Sequence, residues 1–95
     1  MGRFYKRIQA LDGKTLRTLK RGKPFKVKVT KDLVFVVPLY GTKRRRIDIA
    51  RTETIAAKGY GRDELRQGVF EVLGPNWNAS YIAAIVHEIT KSPNS

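Results

Sequence analysis

The apolar positions of this chain change period near residue 50. Before that point they alternate. Phe25, Val27 and Val29 are interleaved with Lys26, Lys28 and Thr30, the period-two signature of a strand with one dry and one wet face. Residues 33–37, Leu-Val-Phe-Val-Val, are apolar without interruption. They predict a strand covered on both faces, with Phe35 in the core, ended by Pro38 because proline has no N–H for the ladder. Lys31-Asp32 between the two runs predicts a hairpin turn.

A third run, residues 43–49, puts Arg45, Ile47 and Ile49 on one parity and Arg44, Arg46 and Asp48 on the other. It opens in a loop after Tyr40-Gly41-Thr42 and finishes as a strand. Residues 15–20 hold two threonines and two leucines and are closed by Arg21-Gly22-Lys23-Pro24, which fits a further strand running into a loop. Ahead of them Phe4, Ile8 and Leu11 fall at helical spacing, and Asp12-Gly13 ends a short amphipathic helix.

Beyond residue 50 the spacing becomes helical. Thr52 is a cap for a short helix broken at Gly59 and Gly61. Residues 62–73 read as a helix, with Asp63 and Glu64 near its positive end, Leu65, Val69, Val72 and Leu73 on one stripe, and Gly74-Pro75 as a stop. Gly68 inside it costs about 1 kcal/mol relative to alanine and permits a close approach. Asn78 is an N-cap for a last helix whose stripe is Tyr81, Ile82, Ile85 and Ile89.

These elements predict an α+β fold: a three- or four-stranded antiparallel sheet, with a partial barrel as a variant, packed on one face by the C-terminal helices. The expected organisation is a single compact domain over residues 1–91, basic and strand-rich over 1–51 and helical over 52–91. Residues 92–95 form a flexible tail with nothing to bury.

Ninety-five residues without cysteine allow only a thin core and exclude disulfides, thiolate zinc sites and cysteine nucleophiles. The simplest compartment is the cytoplasm. The longest nearly unbroken apolar run, residues 33–40, falls well short of the roughly 20 residues that span a bilayer, and no segment has the make-up of a signal peptide.

Charge changes the picture most. Sixteen of the 20 lysines and arginines, but only Asp12, Asp32 and Asp48 of the 8 acidic residues, lie within the first fifty-one positions, a net of +13 out of +12 for the whole chain, the remainder carrying −1. So segregated a field concentrates polyanions, and each neutralised phosphate releases counterions. Nucleic acid, DNA or RNA, is therefore the expected partner. The candidate contacts are Lys20, Arg21 and Lys23 in a loop, Lys26 and Lys28 on a strand, and the cluster Lys43, Arg44, Arg45 and Arg46. Lysine and arginine hold phosphates, and the arginine fork also reaches guanine edges. The plain alternative is a solvated face. Tyr40, at a strand end beside the cluster, is the candidate for stacking on an unpaired base; Tyr5 is a weaker one.

Other constellations carry less. The helix, Gly74-Pro75, helix arrangement is compatible with a helix-turn-helix reading through Asn76, Asn78 and Ser80, yet the would-be recognition helix offers only Lys91 against Glu88. Trp77 reads as a staple against the core or as an anchor for a partner. His87 could pair with Ser80 only without any nucleophile-elbow sequence. Asp12, Asp32, Asp48 and Glu53 lack the spacing of a metal-dependent nuclease, and Gly13-Lys14-Thr15 lacks the upstream glycine of a phosphate-binding loop. No catalytic residue, metal or cofactor is expected.

Arg21-Gly22-Lys23-Pro24-Phe25 leading into alternating valines, with Asn78-Ala79-Ser80-Tyr81-Ile82-Ala83-Ala84-Ile85 near the end, resembles small accessory modules of bacterial mobile-element or defence-associated proteins. The resemblance names no family and assigns no residue a role. Two functions follow from the residues themselves: non-catalytic nucleic-acid binding through a basic sheet face, or a protein-interaction module that meets an acidic partner and docks through its C-terminal helical pair, Trp77 and Tyr81.

Overall fold

The computed structural model describes residues 3–31, 33–39, 43–74 and 78–90; Asp32, Tyr40, Trp77 and the tail at 92–95 lie outside them. The elements run α1 (Arg3–Gln9), β1 (Thr15–Arg17), β2 (Pro24–Thr30), β3 (Leu33–Pro38), β4 (Arg45–Ile47), α2 (Ile49–Ala57), a 3-10 turn (Arg62–Glu64), α3 (Leu65–Leu73) and α4 (Ala79–Thr90). The four strands form one antiparallel sheet in the order β1-β2-β3-β4, an open meander in which β1 and β4 are the edges. The fold is α+β.

Register divides the sheet into two faces, because residues directly opposite in antiparallel strands project to the same side. Val27 pairs with Val36, Val29 with Val34, and Val34 with Ile47. With Phe25 and Leu16 they make the dry face, where Phe25, Val27, Val34 and Val36 are fully buried. These side chains join Ile8, Ile55, Leu65, Val69, Ile82 and Ile85 in one core cluster. Phe25 meets Tyr81 edge to face, with ring centroids 5.1 Å apart.

The other face is open, which corrects the reading of β3 as covered on both sides. Val34 and Val36 are buried, but Leu33 is 40% exposed and Phe35 and Val37 are only half-buried. The helices cover one side, and on the other the partners of β3 are Thr30, Lys26, Lys28 and Arg46.

Local chemistry explains the element ends. Thr30 pairs with Leu33 across a two-residue loop, and Lys31 takes φ +51°, the left-handed conformation that such hairpin turns require. Gly13, at φ +82°, lets the chain turn so that its N–H donates to the Val27 carbonyl at 2.8 Å, while Asp12 Oδ1 accepts from Val29 N at 2.8 Å. The Asp12-Gly13 turn thereby also covers the outer edge of β2. Strand β1 stops at Arg17 rather than residue 20 because Thr18 closes the following loop: its Oγ1 accepts from Lys23 N at 3.0 Å and its N–H donates to the Lys23 carbonyl at 3.0 Å.

Strand β4 is shorter and helix α2 longer than the sequence predicts. Asp48, not Thr52, caps α2, with Oδ1 accepting from Arg51 N at 3.0 Å. Thr52 is instead fully buried and donates to the Asp48 carbonyl at 2.6 Å. Gly68 is buried against the Tyr60 ring, where a methyl group would overlap Cε2 and Cδ2, and the Tyr60 hydroxyl donates to Glu71 Oε1 at 3.0 Å. Loss of water, followed by that hydrogen bond and the Glu71 and Glu64 charges, raises the Tyr60 phenol above its ordinary pKa. Gly74, at φ +74°, stops α3 as expected. Among the described residues no helix is long and apolar enough to cross a membrane.

Candidate nucleic-acid interface

The open face of the sheet carries a cationic lattice set by strand geometry. Lys28 lies opposite Phe35, which lies opposite Arg46; Thr15 lies opposite Lys26, which lies opposite Val37. Arg17 shares this parity on β1, and Arg44 joins from the turn before β4, its guanidinium 4.4 Å above the centre of the Phe35 ring. Strands about 4.8 Å apart, with same-face residues about 6.8 Å apart along each strand, therefore hold Arg17, Lys26, Lys28, Arg44 and Arg46 in a patch. All five are exposed. No acidic residue of β1 to β4 shares that face, and among the described residues no carboxylate pairs with Lys26, Lys28 or Arg46.

Along the middle of this patch runs an apolar stripe on β3: Leu33, Phe35 and Val37. Cations flank it from β2 and β4. The Arg44–Phe35 stack, a planar cation on an aromatic face, is worth about 0.5–1 kcal/mol at an exposed site. Phe35 was not legible as a surface residue because apolar neighbours occupy both parities of its strand. The available signal was the lysine parity of the preceding strand, carried across a two-residue turn.

The remaining predicted cations lie elsewhere. Strand alternation sends Arg45, which pairs with Val36, to the helix side while Arg44 and Arg46 face out. Lys20, Arg21 and Lys23 sit in the β1–β2 loop, where Gly22 at φ +65° accepts from Arg17 Nη1 at 2.9 Å. These four, with Arg66, line a broad cleft of about 930 Å³ beside Asp63. Arg66 stacks over Phe70 at 5.4 Å, and Phe70 is 37% exposed. The single basic patch read from the sequence is thus two patches. Lys43 is exposed at a bend preceding β4, and Tyr40 lies outside the described residues.

The other candidate features are absorbed by the fold. Helix α4 has seven of its twelve residues buried, so it lacks the free side that a groove-reading helix needs. Asn78 reaches back to β4, its Nδ2 donating to the Arg46 carbonyl at 3.3 Å. Tyr81 packs inward on Phe25, and Asn76, like Trp77, is outside the described residues. Ser80 and His87 lie seven positions apart on one helix, about 10 Å along its axis, too far for a proton relay. Asp12 and Asp48 are engaged with backbone N–H groups, and among the described residues no group of three or more His, Asp and Glu could hold a metal ion.

No protein-family model matches this chain, no curated protein is significantly similar to it, and no solved structure matches it.

Proposed function

We propose that the chain is a non-catalytic nucleic-acid-binding protein that meets phosphates on the open face of its sheet. The observation that carries this reading is the five-cation lattice of Arg17, Lys26, Lys28, Arg44 and Arg46 on a face to which the strands contribute no acid. Cations with no carboxylate partner among the described residues, their backbone positions spaced by strand pairing, suit a polyanion of regular repeat. Asp12 and Asp48 are engaged with backbone N–H groups, which supports binding over metal-assisted reaction. Lys20, Arg21, Lys23 and Arg45 are secondary contacts in this reading, as they face the cleft.

Two charge-matched variants test it by fluorescence anisotropy with labelled nucleic acid. Neutralising Lys26, Lys28, Arg44 and Arg46 to glutamine should reduce the slope of log affinity against log salt by about 3, since each phosphate contact contributes roughly 0.7–0.9. Neutralising Lys20, Arg21, Lys23 and Arg45 should change it by about 1 or less. Equal losses would remove the assignment to the sheet face. Binding of an acidic protein with no measurable affinity for nucleic acid, even at about 50 mM salt, would favour the interaction-module reading.

A further inference from the structure

We infer that the ligand of the open face is an unpaired strand, and that Phe35 is its base-stacking platform. This rests on the nucleic-acid reading and specifies its substrate class. A duplex presents phosphates outward and keeps its bases stacked inside, so it would use the cations and leave the apolar stripe of Leu33, Phe35 and Val37 facing water. A single strand presents both chemistries side by side. Its phosphates fit the cations of β2 and β4, and its bases fit the stripe between them.

The geometry around Phe35 supports this. The ring sits on an interior strand, with Lys28 directly opposite on one side and Arg46 on the other. Cations thus flank the aromatic at one strand spacing, about 4.8 Å, in both directions. The same-face neighbours Leu33 and Val37 lie about 6.8 Å along the strand on either side, giving adjoining bases an apolar floor. Arg44 already occupies the ring with a flat group, 4.4 Å from its centre. An exposed cation–π contact is the weaker of the two interactions, and base stacking the stronger. A base therefore displaces the guanidinium, which becomes available to a phosphate. Stacking reads only the π-face, which every base has, so the site tolerates sequence variation and accepts either sugar.

The full-length chain is titrated with an oligothymidylate and an oligouridylate of about 12 nucleotides, a blunt duplex of equal length, and a strand of equal length whose central positions are abasic. The expected result is single-strand binding at least tenfold tighter than duplex binding, with the abasic strand weakened by roughly 5- to 100-fold. Phe35→Leu, which keeps an apolar side chain and is checked for folding by circular dichroism, should lose a similar factor on the intact strand and nothing further on the abasic one. Its salt slope should stay unchanged, and Phe35→Trp should retain affinity. Steeply salt-dependent binding that ignores strandedness, missing bases or Phe35→Leu would overturn the platform and leave the phosphate reading standing. No salt-dependent binding to any of these polymers would overturn both. The abasic comparison uses the unmodified protein, so it decides even if the variant fails to fold.

Discussion

The open sheet face and the helix-side cleft each gather five cations, yet they differ in what holds those cations in place. On the open face Lys26 and Lys28 sit on an interior strand, Arg17 and Arg46 on the two edge strands, and Arg44 lies over Phe35. In the cleft Lys20, Arg21 and Lys23 belong to a loop, Arg45 to an edge strand and Arg66 to α3, and Asp63 stands among them. Strand pairing sets a regular spacing of the backbone positions that carry the charges, about 4.8 Å across and 6.8 Å along a strand, whereas a loop sets no such repeat. Each region has an aromatic under an arginine, Phe35 under Arg44 and Phe70 under Arg66, but only the open face sets its ring on an interior strand between cations from both neighbours. Equal charge therefore does not mean equal arrangement: cross-strand register, not the mere presence of an exposed ring, sets the open face apart from the cleft.

The largest test of this contrast uses two phenylalanines on adjacent strands. Phe25 is fully buried and meets Tyr81, so Phe25→Ala should destabilise the fold by about 3–5 kcal/mol. Phe35→Ala removes a half-buried ring from the open face and should cost only about 1–2 kcal/mol, mostly lost strand packing. Urea denaturation measures both; similar losses would mean that the open face is covered, and the distinction between the faces would fail.

A second, smaller effect should change stability on the helix side and spare the ligand face. Gly68→Ala gains about 1 kcal/mol of helix propensity but drives a methyl group into the Tyr60 ring, which the Glu71 hydrogen bond holds in place. The net expectation is a loss of roughly 1–2 kcal/mol with nucleic-acid affinity unchanged. A gain in stability would show that Tyr60 does not pack there. The smallest effect sharpens the register itself. Lys31 adopts φ +51°, so Lys31→Gly should stabilise the hairpin by a few tenths to about 1 kcal/mol, read as a higher urea midpoint. No change would argue against the turn that sets Phe35 opposite Lys28.

Much of this was readable beforehand where one residue type decides one local outcome. Alternation in β2 and the Gly74 stop depend on near neighbours; α4 does begin just after Asn78, but the Asn78 side chain reaches back to the Arg46 carbonyl rather than capping the helix. The errors came where two local signals competed. Thr52 and Asp48 are both capping residues, and the choice of Asp48 moved the start of α2 four positions and shortened β4. Five consecutive apolar residues in β3 gave no parity of their own, so Phe35 was misread as core.

Local periodicity and the lopsided placement of charge were enough to specify an α+β chain with a basic strand-rich half. Both follow from side-chain spacing along the backbone, and neither needs distant contacts. Which cations share a face was decided only in three dimensions. Cross-strand register sorts Arg44 and Arg46 from Arg45 although they are neighbours in the chain, and the helices dry one face and leave the other bare. A strand turns its side chains by half a revolution per residue, so a contiguous run of charge is divided between two surfaces as soon as it pairs.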